Sequence, residues 1–210
     1  MNKTKIEWTD HTWNPIKGLC PVGCWYCYAR RMYQRFHWNQ EVRLDLNALM
    51  DQCPKKPSKI FACSTFELFH PSADPYRNNV FHQIGCMPEH TFIILTKMPE
   101  RIDRPMPDNV WLGTSVTGME DLDRISCLLE KEAKIKFISF EPLLNFPALP
   151  AHGINWVIIG KLTGCGKRHD PPRRWIESLV DMAHGLDYPV FLKNNLREIW
   201  GEELIQEFPR

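Results

Sequence analysis

Short apolar runs rich in β-branched and aromatic residues recur along the chain, each closed by a polar or charged residue. They are KIFACS (59–64), TFIILT (91–96), VWLGTSV (110–116), KFISF (136–140), NWVIIG (155–160) and PVFLK (189–193). Their apolar positions are nearly continuous rather than alternating. That is the pattern of strands covered on both faces, as in a parallel sheet. IEW (6–8) is a shorter candidate for an opening strand. Helical spacing fills several of the gaps. WYCYARRMYQRF (25–36) is one such stretch, and MEDLDRISCLLEKE (119–132) sets Leu122, Ile125, Leu128 and Leu129 in phase. RRWIESLVDMAHG (173–185) puts Trp175, Leu179 and Met182 on one face, with Gly185 as its stop. Residues 37–58 predict a helix plus an irregular connection. HPSADPYRNN (70–79), with two prolines, predicts a loop.

Strand and helix alternate, which predicts an α/β fold with a parallel sheet. Seven candidate strands in 210 residues are too few for a complete eightfold barrel of about 250 residues. The expected architecture is one domain over residues 1–210, an incomplete (β/α) barrel of about six to seven parallel strands.

Composition narrows the function classes. Hydrophobic residues at 43% and charged residues at 24% are ordinary for a globular protein with its own core. A net charge of +1 selects no partner, so any nucleic-acid surface has to be a local patch. The opening MNKTKIEWTDHTWNP lacks the apolar stretch of a secretory signal, and runs such as FIIL and WVII are far too short to span a membrane. The expectation is a cytoplasmic protein with no membrane partner.

Cysteines change the picture most. Eight are present; five of them (Cys53, Cys63, Cys86, Cys127, Cys165) are scattered, and Cys20, Cys24 and Cys27 form C-x₃-C-x₂-C inside GLCPVGCWYCYARR (18–31). With no export signal and enough chain to build a core, a metal-binding trio fits better than a disulfide framework. Thiolates select zinc or iron–sulfur iron. Structural zinc wants four protein ligands, usually as separated pairs, and only His11 or His37 stands near as a fourth. A [4Fe–4S] cluster held by three cysteines keeps one iron free for another ligand.

C-x₃-C-x₂-C with Tyr26 just before its last cysteine resembles the signature of radical S-adenosylmethionine (SAM) enzymes. Beyond the motif, the chain resembles the phage-associated three-cysteine family of that superfamily. The matching stretches are KIEWTDHTWNP, CWYCYARRM, IFACSTFELFH, FIILTKMPERI, NVWLGTSV, FISFEPLL and NWVIIG. The resemblance implies a partial barrel with its cluster loop at 18–28. It implies a [4Fe–4S] cluster on Cys20, Cys24 and Cys27, with SAM bound at the free iron. Reductive cleavage of SAM then yields methionine and a 5′-deoxyadenosyl radical, which takes hydrogen from an unknown substrate. A reductant such as flavodoxin or ferredoxin is implied as a partner, and the phage association points by analogy to a nucleoside or modified DNA base. Two other readings stay open: a zinc-stabilised nucleic-acid-binding module, and an iron–sulfur protein that only transfers electrons.

In such a barrel, sites gather at the C-terminal ends of strands. Those ends supply Ser64, Thr65 and Glu67, then Lys97, Ser115, Glu141 and Lys193, all expected to contact SAM. Lys97 or Lys193 suits a carboxylate, and Glu67 or Glu141 suits an ammonium or ribose. A Lys97–Glu141 pair is the expected counterion arrangement when SAM is absent. STFE (64–67) stands where the superfamily has Gly-Gly-Glu. GKLTGCGKR (160–168) is not a P-loop, because five residues rather than four separate Gly160 from Gly166 and Arg168 replaces the hydroxyl residue. It also departs from the family's Gly-Gly-Glu-Ser-Gly-like stretch at Lys161, Leu162 and Thr163.

Overall fold

In a computed structural model that describes residues 1–209, every long apolar run forms a strand within two residues of its predicted limits. The chain divides into two compact units, Met1–Val110 and Trp111–Arg210. The first begins with β1 (Asn2–Lys3), antiparallel to β2 (His11–Trp13). A ribbon of β3 (Ile16–Lys17) and β4 (Arg43–Leu44) follows. β5 (Lys59–Ala62) then runs parallel to β2, and β6 (Thr91–Thr96) parallel to β5. Its helices are α1 (Tyr28–Phe36), α2 (Leu46–Leu49) and α3 (Asp74–Gly85). The second unit is built on β7 (Val110–Ser115), β8 (Ile135–Phe140), β9 (Trp156–Ile159) and β10 (Val190–Leu192), parallel in that order. Its helices are α4 (Leu122–Leu129), α5 (Arg173–Gly185) and α6 (Arg197–Trp200). The fold is therefore mixed α/β with mostly parallel strands. β9 and β10 are buried at every position, as their unbroken apolar runs require.

Three local expectations are corrected. IEW is not a strand. Trp8 is buried in a turn, and the first strand parallel to β5 starts at His11 once the Thr9 hydroxyl has donated to the Lys59 carbonyl at 2.9 Å. The segment 70–79 is not a loop, because α3 begins inside it. Pro75 falls in the first turn, where its missing N–H would have no intrahelical partner, and the His70 ring nitrogen Nδ1 accepts from the Ser72 N–H at 3.1 Å. In 37–58 the expected helix is the four-residue α2, capped by Asp45, which accepts from the Ala48 N–H at 3.1 Å. The buried stripe of α5 is Ile176, Leu179, Val180 and Ala183, which leaves Trp175 and Met182 half-buried beside it.

One close approach governs the middle of the second unit. Gly113 and Phe137 are partners across β7 and β8, and a Cβ on Gly113 would lie 2.3 Å from the Phe137 ring. That ring is fully buried and packs on Trp156 at 5.4 Å between centroids, so it has nowhere to go. Gly113→Ala is expected to lower unfolding free energy by about 1–3 kcal/mol. Gly185→Ala, whose new methyl would meet nothing within 4 Å, is the control. Urea denaturation of the two variants checks this, and equal midpoints would refute the overpacking.

Candidate functional site

The cysteine loop is pinned at both ends before it reaches α1. Gly18 sits at φ +120°, and any Cβ there would strike the Glu41 carbonyl at 2.6 Å, so only glycine fits. Its N–H donates to the hydroxyl of buried Tyr33, one turn into α1, at 2.8 Å. The Leu19 N–H donates to Gln40 O at 2.9 Å, and Arg30 donates to Cys20 O at 3.0 Å. A turn closed by Cys27 N–H to Cys24 O, 3.1 Å, delivers Cys27 as the N-cap of α1.

Cys20, Cys24 and Cys27 line one small cavity of about 20 Å³, together with Arg30, Tyr33 and Thr65. Burial pushes the Cys20 thiol up from its ordinary value. The N–H groups of Glu67 and Val22, which reach the sulfur, pull it down, and the nearby Glu67 and Cys24 raise it further. Among the described residues, no histidine lines this cavity. His37 stands at the far end of α1, nine residues of helix or roughly 13 Å from the Cys27 cap. Among the described residues, no three His, Cys, Asp or Glu side chains gather as closely as a single metal ion requires.

Around the loop, the ends of β5 and β6 are knitted together by Glu67. This side chain is buried, and both of its oxygens are taken. One accepts from the Thr96 hydroxyl at 2.6 Å and the Phe69 N–H at 3.2 Å, the other from the Lys97 N–H at 2.8 Å. Asn14 holds the neighbouring turn, accepting from the Ser64 hydroxyl at 3.1 Å and the Thr65 N–H at 3.2 Å. Tyr28, at the start of α1, donates to Ser64 O at 3.1 Å, and the Lys97 ammonium lies 5.9 Å from the centre of the Tyr26 ring. The structure thus brings Ser64, Thr65, Glu67 and Lys97 to the cysteine loop. It gives Glu67 a different job from the expected one, because an acceptor so fully engaged orders the strand ends. Asn14, Arg30 and Tyr33 are the residues that sequence reasoning missed. Their contacts run to backbone atoms or across about 15 to 50 residues, and no local pattern announces them.

The second unit carries its own polar layer. Ser115 and Ser139 are register partners on β7 and β8, so their side chains share a face. Both are buried, and neither hydroxyl has a hydrogen-bond partner among the described residues. Two residues beyond Ser139 on the same face, Glu141 pairs with Lys193, which follows β10. The countercharge that meets Glu141 is therefore Lys193, where the sequence reading gave Lys97. Gly160 makes room for the pair, since a Cβ there would come within 2.9 Å of Lys193 Cδ. In the 160–168 loop, Lys161 has a partner that sequence reasoning also missed. It pairs with Asp170 at 2.8 Å with both side chains about 85% buried, and Asn195 clasps its backbone. Asp170 Oδ1 and the two serine hydroxyls are buried polar atoms turned toward no protein donor or acceptor.

The chain belongs to the family described as "Protein of unknown function (DUF5131)", whose model matches residues 3–206. No curated protein and no solved structure matches it.

Two measurements test this geometry. Glu67→Gln turns an acceptor into an amide donor that faces N–H and O–H groups, and is expected to lower stability by about 1–3 kcal/mol. An unchanged denaturation midpoint would show that the carboxylate is dispensable. Behind it, burial pushes the Cys63 thiol from 9.0 up to about 12, and the charge of Glu67 raises it too. The folded state then keeps a proton that the unfolded chain gives up near pH 9. The stabilisation is whole below about pH 9 and is lost as the pH rises toward 12. Relative to Cys63→Ala, the wild type should lose about 1 kcal/mol between pH 9 and pH 10. A constant difference across that range would mean that the thiol is open to solvent.

Proposed function

We propose that the protein is a radical SAM enzyme in which Cys20, Cys24 and Cys27 hold a [4Fe–4S] cluster. One observation carries the reading: three thiols at C-x₃-C-x₂-C spacing line a single cavity that no fourth cysteine and no histidine enters. A structural zinc site needs its fourth ligand and brings thiolates within about 3.8 Å of one another, the edge of a tetrahedron with 2.3 Å bonds. A cubane instead places each thiolate on a different iron and spreads them further apart. The lack of a fourth ligand in the cavity therefore favours the cluster over zinc. When bound, such a cluster supplies the electron that cleaves SAM to methionine and a 5′-deoxyadenosyl radical.

The chain's own residues then have separate tasks. Glu67 holds the turn after β5 and the end of β6 in one arrangement, so that the Ser64 and Thr65 backbone and the Lys97 ammonium meet the cysteine loop. Ser64, Thr65 and Lys97 contact SAM in this reading, with Lys97 taking a carboxylate. Ser115, Glu141 and Lys193 offer two further charges and a buried hydroxyl to SAM or the substrate. The same reading implies an incomplete (β/α) barrel for the parallel strands, a flavodoxin- or ferredoxin-like reductant and a cytoplasmic setting.

Anaerobic reconstitution tests the proposal. The wild type should bind about four irons, show a cluster resonance that shifts when SAM is added, and release 5′-deoxyadenosine with dithionite. Cys20→Ala, Cys24→Ala or Cys27→Ala should each abolish retention of the cluster, while Cys53→Ala and Cys86→Ala leave iron content unchanged. Stoichiometric zinc with no iron would overturn the reading in favour of a zinc module. A full cluster that neither senses nor cleaves SAM would leave electron transfer alone.

A further inference from the structure

The cysteine loop and the helix that leaves it expose a cluster of aromatic rings. Trp25, Tyr28, Phe36 and Trp38 are 61%, 47%, 51% and 44% exposed, and they are the chain's exposed large aromatics. Arg31 and Arg35 are exposed on the same stretch. At about 100° per residue, positions 31, 35, 28 and 36 fall in that order within an arc of about 140° on one side of the helix. From residue 18 to residue 40 the chain contains Arg30, Arg31 and Arg35 and no Asp or Glu, although 25 acidic residues stand in the whole sequence. A chain that is nearly neutral overall is thus strongly one-signed here.

We propose that this face of α1 binds single-stranded nucleic acid, with the aromatic rings stacking on bases and Arg31 and Arg35 pairing with phosphates. The chemistry selects this partner over an acidic protein surface. Charge alone would suit either. Four half-exposed flat rings beside arginines suit bases, because every base offers a face to stack on while its phosphate stays within reach of the guanidinium. The rings of Phe36 and Trp38 are already stacked, 5.5 Å apart at 22°, and Arg35 lies 5.4 Å from the centre of the Phe36 ring. Tyr28 and Phe36 are eight helical residues or about 12 Å apart, more than three base rises of about 3.4 Å, so each can take a separate base. A duplex keeps its base faces stacked inside and cannot use these rings. The inference rests on the helix face and does not depend on the cluster.

Fluorescence anisotropy with a labelled (dT)₂₀ strand and a 20-base-pair duplex tests it, on full-length protein both as isolated and after reconstitution. The wild type should bind the single strand at least tenfold more tightly than the duplex in both forms. Phe36→Ala should weaken binding about 5- to 100-fold, the loss of one stacked base. The double variant Arg31→Glu/Arg35→Glu should also weaken it, and should reduce the slope of log affinity against log salt by about 1.4, or 0.7 for each phosphate released. Unchanged circular dichroism and iron content would show that the variants fold, and would separate this result from any failure of the cluster reading. Wild-type affinity in the variants, or equal affinity for duplex, overturns the proposal. So does a wild type that fails to bind the strand but forms a dimer that Phe36→Ala dissolves, or takes electrons from an acidic reductase only while both arginines are present.

Discussion

Everything placed around the cysteine loop depends on one buried carboxylate. Glu67 lies five residues beyond the end of β5 and is 6% exposed. A carboxylate so far from water is costly unless donors meet it, and here a hydroxyl and two backbone N–H groups do. Two of those donors belong to Thr96 and Lys97, at the end of the next strand. The bonds therefore fix the relative height of the two strand ends, beyond the point where the β5–β6 ladder stops at Ala62 and Ile94. The Glu67 N–H also reaches the Cys20 sulfur. One residue thus couples the loop that holds the thiols to the two strands that present Ser64, Thr65 and Lys97. Its negative charge opposes ionisation of both Cys20 and Cys63, so the position is tuned for order rather than for easy thiolate formation.

The strands were legible because burial on both faces writes itself into the sequence directly. A run such as WVII cannot alternate if neither side meets water, and β9 is buried at all four positions. The failures came where a local rule met a tertiary contact. Two prolines in 70–79 read as loop residues, yet one of them is tolerated in the first turn of α3, whose apolar positions are too few to announce a helix. IEW has a strand-like composition, but Trp8 serves as a core plug in a turn. In α5 the helix ends where Gly185 predicted, while its buried stripe is rotated toward Ile176 and Val180, because the element packed against a helix sets its inward face.

At the candidate site, residue type was legible and partnership was not. The strand-end residues expected to contact SAM, Glu67, Lys97, Ser115, Glu141 and Lys193, are buried or half-buried polar groups. The pairing of Glu141 with Lys193 spans 52 residues and is set by the order of β8, β9 and β10, which no periodicity encodes. The same holds for Asn14, 50 residues from the Ser64 that it orients. The cysteines were the opposite case. Their spacing is short, and the three thiols line one cavity.

The second unit's polar layer makes a different physical demand. Ser115 and Ser139 could be alanines at little cost in volume, and each buried hydroxyl without a partner forfeits about 1–3 kcal/mol. Two such atoms on adjacent strands, followed on the same face by an ion pair that a glycine is needed to accommodate, amount to a local sacrifice of stability. The apolar positions below them, Phe137 and Trp156, show that the sheet supplies a fully packed core where nothing else is required of it. Sites that a ligand completes carry this signature, because the polar atoms it will satisfy must be left unsatisfied beforehand. Glu141 and Lys193 neutralise each other. A ligand that bears both charges can exchange with that internal pair without leaving either ion alone in the interior, which is the condition for binding there to be favourable.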